Sequence, residues 1–131
     1  MIDAERLDNY GVRTGIDIVV VEDFRRSLER GGEAMRSRLF SSAEVDGANI
    51  ESLAGIFAAK ETAFKALELP LVDWHVLEIG HETSGRPQIA LRLDYDSSDV
   101  VDIDLSISHA GGIAVASVVV LVQLQNKGNQ A

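Results

Sequence analysis

The chain has 131 residues, 46% of them hydrophobic, and a formal net charge of -9, which suits one domain with a real core and is too short for two. So acidic a chain lacks the basic face needed to displace counterions from nucleic acid or from an anionic membrane, so neither is an expected partner. It contains no cysteine, hence no disulfide, thiolate metal site or cysteine nucleophile; Met1 to Asn9 are too polar for a signal peptide, no apolar run spans a membrane, and the expected location is cytoplasmic.

Residues 12–21, Val-Arg-Thr-Gly-Ile-Asp-Ile-Val-Val-Val, are rich in β-branched side chains and predict a strand that leads into a helix. Asp17 lies inside this run. A buried aspartate is costly unless its charge is compensated, so Asp17 belongs either at an exposed edge or beside a cation. Glu22 to Arg30 suit a short helix with Phe24 and Leu28 facing inward and Gly31-Gly32 as its stop. Arg25, Arg26, Arg30, Arg36 and Arg38 are five of the twelve basic residues. Their clustering fits a solvated helix face or a docking patch for an acidic partner. Phe40-Ser41-Ser42-Ala43-Glu44 carries a capping signal for a short helical turn, ended by Gly47 and Asn49.

The longest expected helix runs from about Ile50 to Leu69 and is stopped by Pro70. At roughly 100° per residue, Leu53, Ile56, Phe57, Lys60, Phe64 and Leu67 share one side. Lys60 therefore stands inside an apolar stripe, either as a snorkelling surface lysine or as part of a site. Glu61 and Lys65, four apart, are neighbours at the edge of that stripe.

Leu71 to His81 reads as a loop entering a strand, Ser84-Gly85-Arg86-Pro87 as a turn, and Gln88 to Leu93 as a half-buried strand. Asp94 to Asp99 is a polar connection. Val101, Ile103, Leu105 and Ile107 then alternate with Asp102, Asp104, Ser106 and Ser108, predicting a strand terminated by His109, Gly111 and Gly112. Ile113 to Leu124 returns as the last strand, and Asn126 to Ala131 form a tail. His109 at a strand end is a hydrogen-bonded turn residue or a catalyst. With the helices in the first half and short connections between the strands, the expected architecture is α+β: an antiparallel sheet packed with a long central helix, in a single domain 1–131 whose core covers about residues 12–122.

Three stretches, Gly15-Ile16-Asp17 in an early strand, Phe57-Ala58-Ala59-Lys60-Glu61 with Lys65 on a helix about forty residues later, and Ser106-Ile107-Ser108-His109 near the end, together resemble the holo-acyl-carrier-protein synthase family, the small 4′-phosphopantetheinyl transferases. The resemblance implies transfer of a phosphopantetheinyl group from coenzyme A to a serine of an acidic apo acyl carrier protein. It implies Mg2+ on Asp17 and Glu61, catalysis by Glu61, Lys65 and Asp17, and coenzyme contacts from Lys60, Lys65, Arg86 and His109. It also implies carrier docking near the arginine cluster and a homotrimer with pockets shared between neighbours. The general base stays open between Glu61 and a water held by Asp17.

The chain departs from the family pattern in three places. Glu68-Leu69-Pro70 stands where relatives carry a Gly-Thr-Gly turn, Ile56 where they carry an arginine, and Asp23 where they often carry a basic residue. These losses touch the substrate grip rather than the metal centre, and leave open a non-catalytic relative that binds a carrier or partner.

Overall fold

A computed structural model describes residues 9–71, 73–92 and 98–124. The tail from Asn126, and residues 94–97 of the expected polar connection, lie outside the described residues.

The chain enters as β1 (Tyr10–Val20), whose side chains alternate between two faces. Gly11, Arg13, Gly15, Asp17 and Val19 look inward, and Val12, Thr14, Ile16, Ile18 and Val20 look outward. It runs without a loop into α1 (Val21–Leu39), whose first backbone N–H is satisfied by the carbonyl of Gly112 at 2.9 Å. The expected stop at Gly31-Gly32 is present as a break within this span. Gly32 adopts φ 62, ψ -156, a conformation reserved for glycine, so the helix breaks there and resumes, which lets Leu39 and Phe40 reach the core.

Ser41 caps α2 (Ser42–Val45) through the expected reciprocal box: its hydroxyl accepts from Glu44 N–H at 3.2 Å, and Glu44 Oε1 accepts from Ser41 N–H at 2.8 Å. Asn49, expected to end this turn, instead caps the next helix by accepting from Ser52 N–H at 2.8 Å. That helix, α3 (Ile50–Ala66), buries eleven of its seventeen residues, so it needs cover on several sides. It lies across β1 and β5 and packs with a smooth flank of Ala54, Ala58, Ala59, Ala63 and Ala66. Full burial of larger residues such as Leu53 and Phe64 contributes about 1.5–3 kcal/mol each.

The helix ends at Ala66, before Leu69 and without help from Pro70. Leu69 N–H donates to Phe64 O at 3.0 Å and Glu68 N–H to Lys65 O at 3.1 Å, closing a Schellman motif with Glu68 at φ 55. A 3-10 turn (Trp74–Val76) leads into the hairpin of β2 (Leu77–His81) and β3 (Pro87–Leu91), with the predicted turn at Gly85. Then β4 (Val100–Ala110) and β5 (Ile113–Gln123) pair through Gly111 and Gly112, both at positive φ. Val101 does not join the inward set of β4, because a bulge between Val100 and Asp102 turns it out to 51% exposure.

The larger sheet has the order β1-β5-β4, antiparallel throughout, and β2-β3 form a second antiparallel pair. The buried apolar residues make one cluster beneath α3, and the expected α+β class with a long central helix is borne out. Its opposite sheet face carries no helix, and Val12, Ile16 and Ile18 are 67%, 64% and 63% exposed on it.

Candidate active site

Gly15 is where α3 comes closest to β1. A β-carbon there would fall 2.3 Å from the Thr62 hydroxyl oxygen, so no larger residue fits. Two residues along the same face, roughly 6.6 Å further, stands Asp17. One turn of helix on that side presents Glu61 and Lys65, and the spacing of the two sequence motifs follows from this one crossing.

Lys65 Nζ lies 3.4 Å from Asp17 Oδ1, with the lysine mostly exposed and the aspartate side chain 16% exposed. Asp17 Oδ2 is fully buried and has no hydrogen-bond donor. Glu61 is pushed up from an ordinary 4.5 to about 7, first by burial, then by hydrogen bonding to Asp17 and by its charge, with Lys65 opposing. Two carboxyl groups thus share one site, with Lys65 as the flanking cation among the described residues. A cavity of about 290 Å³ opens beside them, lined by Phe64, Leu69, Leu71 and Trp74, with Glu61 and Lys65 as its polar members. Trp74 is fixed there by Phe57 and Phe64, ring centroids 5.4 and 5.7 Å away.

This donor set fits a hard divalent cation of magnesium type, which takes one or two carboxylates and completes its shell with waters and substrate phosphates. Among the described residues no cluster of three or more acidic, histidine or cysteine side chains is present, so such a cation would depend on its substrate for further ligands.

The other expected site residues stand elsewhere. Lys60 stands apart from the acid pair: its side chain is 0% exposed, and Nζ donates to Glu44 Oε1 at 2.8 Å and to Leu39 O at 2.9 Å. His109 Nδ1 sits 3.4 Å from Glu51 Oε2 in the first turn of α3, about 15 Å along the helix from Glu61. Arg86 pairs with Asp104, whose register partner Val119 lies on the outward face of the sheet, opposite Asp17. Within one chain the structure unites Asp17, Glu61 and Lys65 and leaves His109 and Arg86 apart. Of the arginines, Arg25 is matched by Glu22 and Glu29, and Arg26 by Glu22, so the cluster is less positive than its count.

Glu44 is the residue the sequence reading undervalued. Its signal was the Ser41-x-x-Glu44 box, which accounts for Oε1 but not for Oε2, the acceptor of Ile79 N–H at 2.9 Å.

One helix laid across the sheet brings an acid pair and a lysine together at their crossing. The model of the 4′-phosphopantetheinyl transferase superfamily matches residues 13–117. The holo-[acyl-carrier-protein] synthases of Frankia alni and Salinispora arenicola are 40% and 41% identical to this chain, each match covering 82% of it and 95% and 96% of the relative. Among solved structures, the Helicobacter pylori holo-[acyl-carrier-protein] synthase in complex with coenzyme A superposes with a TM-score of 0.76 at 30% identity, over 82% of this chain and 98% of that one. The chain belongs to the 4′-phosphopantetheinyl transferase superfamily.

Proposed function

We propose that this protein transfers the 4′-phosphopantetheinyl group of coenzyme A to a serine of an apo acyl carrier protein, in a magnesium-dependent reaction. The observation that carries this reading is the Asp17–Glu61 acid pair with Lys65 against it: a buried carboxylate oxygen without a hydrogen-bond partner, beside a Glu61 raised to about 7, supports a site for a cation and a polyphosphate.

The serine oxygen forms a bond to the phosphorus that carries the pantetheine arm. The bond from that phosphorus to the bridging oxygen breaks, and adenosine 3′,5′-bisphosphate leaves with the electron pair. Asp17 and Glu61 would hold a magnesium ion, which would supply charge neutralisation across the pyrophosphate. Lys65, 61% exposed, meets the leaving phosphate as a fixed positive charge. Glu61, in its ionised form, would accept the serine proton. The apolar cavity beside them gives the coenzyme a surface to lie on while water is kept from the acid pair.

We further read the protein as a homotrimer, its uncovered Val and Ile face buried between copies, with His109 and Arg86 serving the acid pair of a neighbour. The distance of both residues from their own Glu61 supports this sharing. The acidic carrier is expected along α1, where Arg30 and Arg38 are exposed. Incubating the protein with coenzyme A, magnesium and candidate apo carriers tests the reading by mass spectrometry. A carrier that gains one phosphopantetheinyl group supports it; a panel left unmodified at any magnesium concentration sinks it.

A further inference from the structure

The most deeply buried charges in the described part of the molecule lie outside the acid pair. The Glu44 and Lys60 side chains are both 0% exposed and 2.8 Å apart. All but one of the bonds they make tie different elements, the exception being the bond from Ser41, which caps Glu44's own helix. Lys60, on α3, donates to the carbonyl of Leu39, the last residue of α1. Glu44, on α2, accepts from Ser41 and from Ile79 of β2. Four elements therefore meet on one ion pair.

Stability is a poor reason for such a pair, since desolvating two ions costs about what their attraction returns and an apolar pair of the same volume does as well or better. What a buried pair can supply is register. The close contacts of α3 with the sheet are Thr62 against Gly15 and Gly55 against Ile107, and the buried residues around them, Ala58 and Ala59, are small. Those contacts set how near the helix lies to the strands, and leave its rotation about its own axis to be fixed by larger side chains such as Lys60. Lys60 is the immediate neighbour of Glu61, so whatever fixes Lys60 about the helix axis fixes Glu61 too. A roll of about 20° would carry an atom some 6 Å from the axis by roughly 2 Å, and displacements of about 1 Å at reacting groups cost on the order of a hundredfold in rate.

We propose that Glu44 is a positioning residue for the reaction: through Lys60 it sets the rotation of α3, and so the placing of Glu61 against Asp17, in the same frame as the end of the arginine-bearing helix α1. The inference rests on the transferase reading above, and the parent protein's activity is measured first, so that failure of that reading is seen before any variant is made.

The test is the double variant Glu44→Gln/Lys60→Met, in which the amide oxygen still accepts a backbone N–H and the thioether fills the volume of the lysine stem. Glu44→Asp, which keeps both charges and shortens the arm by one methylene, is measured beside it. Thermal midpoint, kcat, KM for coenzyme A and manganese(II) binding by loss of the free-ion resonance are read for each. The expected result is a midpoint near the parent's or above it for the double variant, kcat lowered roughly tenfold or more in both, and KM changed by less than about twofold. Manganese binding is expected to weaken together with kcat. Parent-like kcat in either folded variant overturns the proposal. Loss of the fold in both overturns it as well, since the pair would then be needed for folding rather than for placing Glu61.

Discussion

Gly15 and Thr62 touch backbone to backbone: a β-carbon on Gly15 would stand 2.6 Å from the Thr62 carbonyl oxygen as well as against its hydroxyl. A carbonyl inside a helix cannot swing away as a flexible side chain does. Gly15→Ala must therefore lift α3 from β1, at about 1–3 kcal/mol or more, and draw Glu61 away from Asp17. Urea denaturation should show the lower midpoint, and transfer should fall with it. An alanine variant as stable and active as the parent would mean that the helix yields there.

Asp17→Ala and Glu61→Ala each remove a carboxylate without emptying core volume, so both should abolish transfer and keep the fold. Lys65→Ala should slow transfer while leaving metal affinity close to the parent's, because its ammonium opposes rather than ligates a cation. Calorimetric titration with magnesium and coenzyme A separates the two cases. Equal loss of metal affinity in the lysine variant would refute its assignment to the leaving phosphate.

Glu61 binds its proton up to about pH 7 in the folded protein, against 4.5 ordinarily. Between those values the native state holds more protons than the unfolded chain. The resulting stability is complete below about pH 4.5 and is lost as the pH rises through 7. Metal-free protein should melt at a lower temperature at about pH 8 than at about pH 5.5, and Glu61→Gln should reduce that dependence. Magnesium added at the higher pH should restore the midpoint by binding the native state. A Gln variant with the parent's pH profile would show that Glu61 is not the group responsible.

Glu68 holds a left-handed conformation that costs a residue with a β-carbon about 1 kcal/mol, and its surface pair with Arg13, 2.9 Å apart, returns little of it. Glu68→Gly should stabilise the protein by up to about 1 kcal/mol in equilibrium denaturation. No gain would mean that the Arg13 pair matters more than its exposure suggests.

Ile16→Lys places a charge in the middle of the outward sheet face, where Ile16 is 64% exposed. Light scattering should find the parent trimeric and this variant dissociated, with transfer lost because the shared residues are no longer supplied. A parent that is monomeric at working concentration and fully active would rule out the shared pocket.

Much of this was written in short-range pattern. The strand at Val12, the capping box at Ser41 and the glycine hairpin at Gly111 depend on local rules, and each formed where those rules put it. Helical spacing set Glu61 beside Lys65, while the joining of Asp17 to them came from the family resemblance and not from either period. What failed to show depended on distant partners. Lys60 looked like a site residue, since a lysine in an apolar stripe has the same signature whether it meets a ligand or a buried glutamate sixteen residues earlier.

Asp17 is held in place by pairing with Ala116, which follows it by 99 residues (116 − 17). On the ribosome, the strand that bears this acid emerges early and waits with both edges open until nearly all of the described chain has been made. Closing so long a loop is entropically slow, and bare Val- and Ile-rich edges invite wrong pairing in the meantime. The acid pair is therefore among the last features to form, and a nascent chain halted before β5 has no catalytic centre.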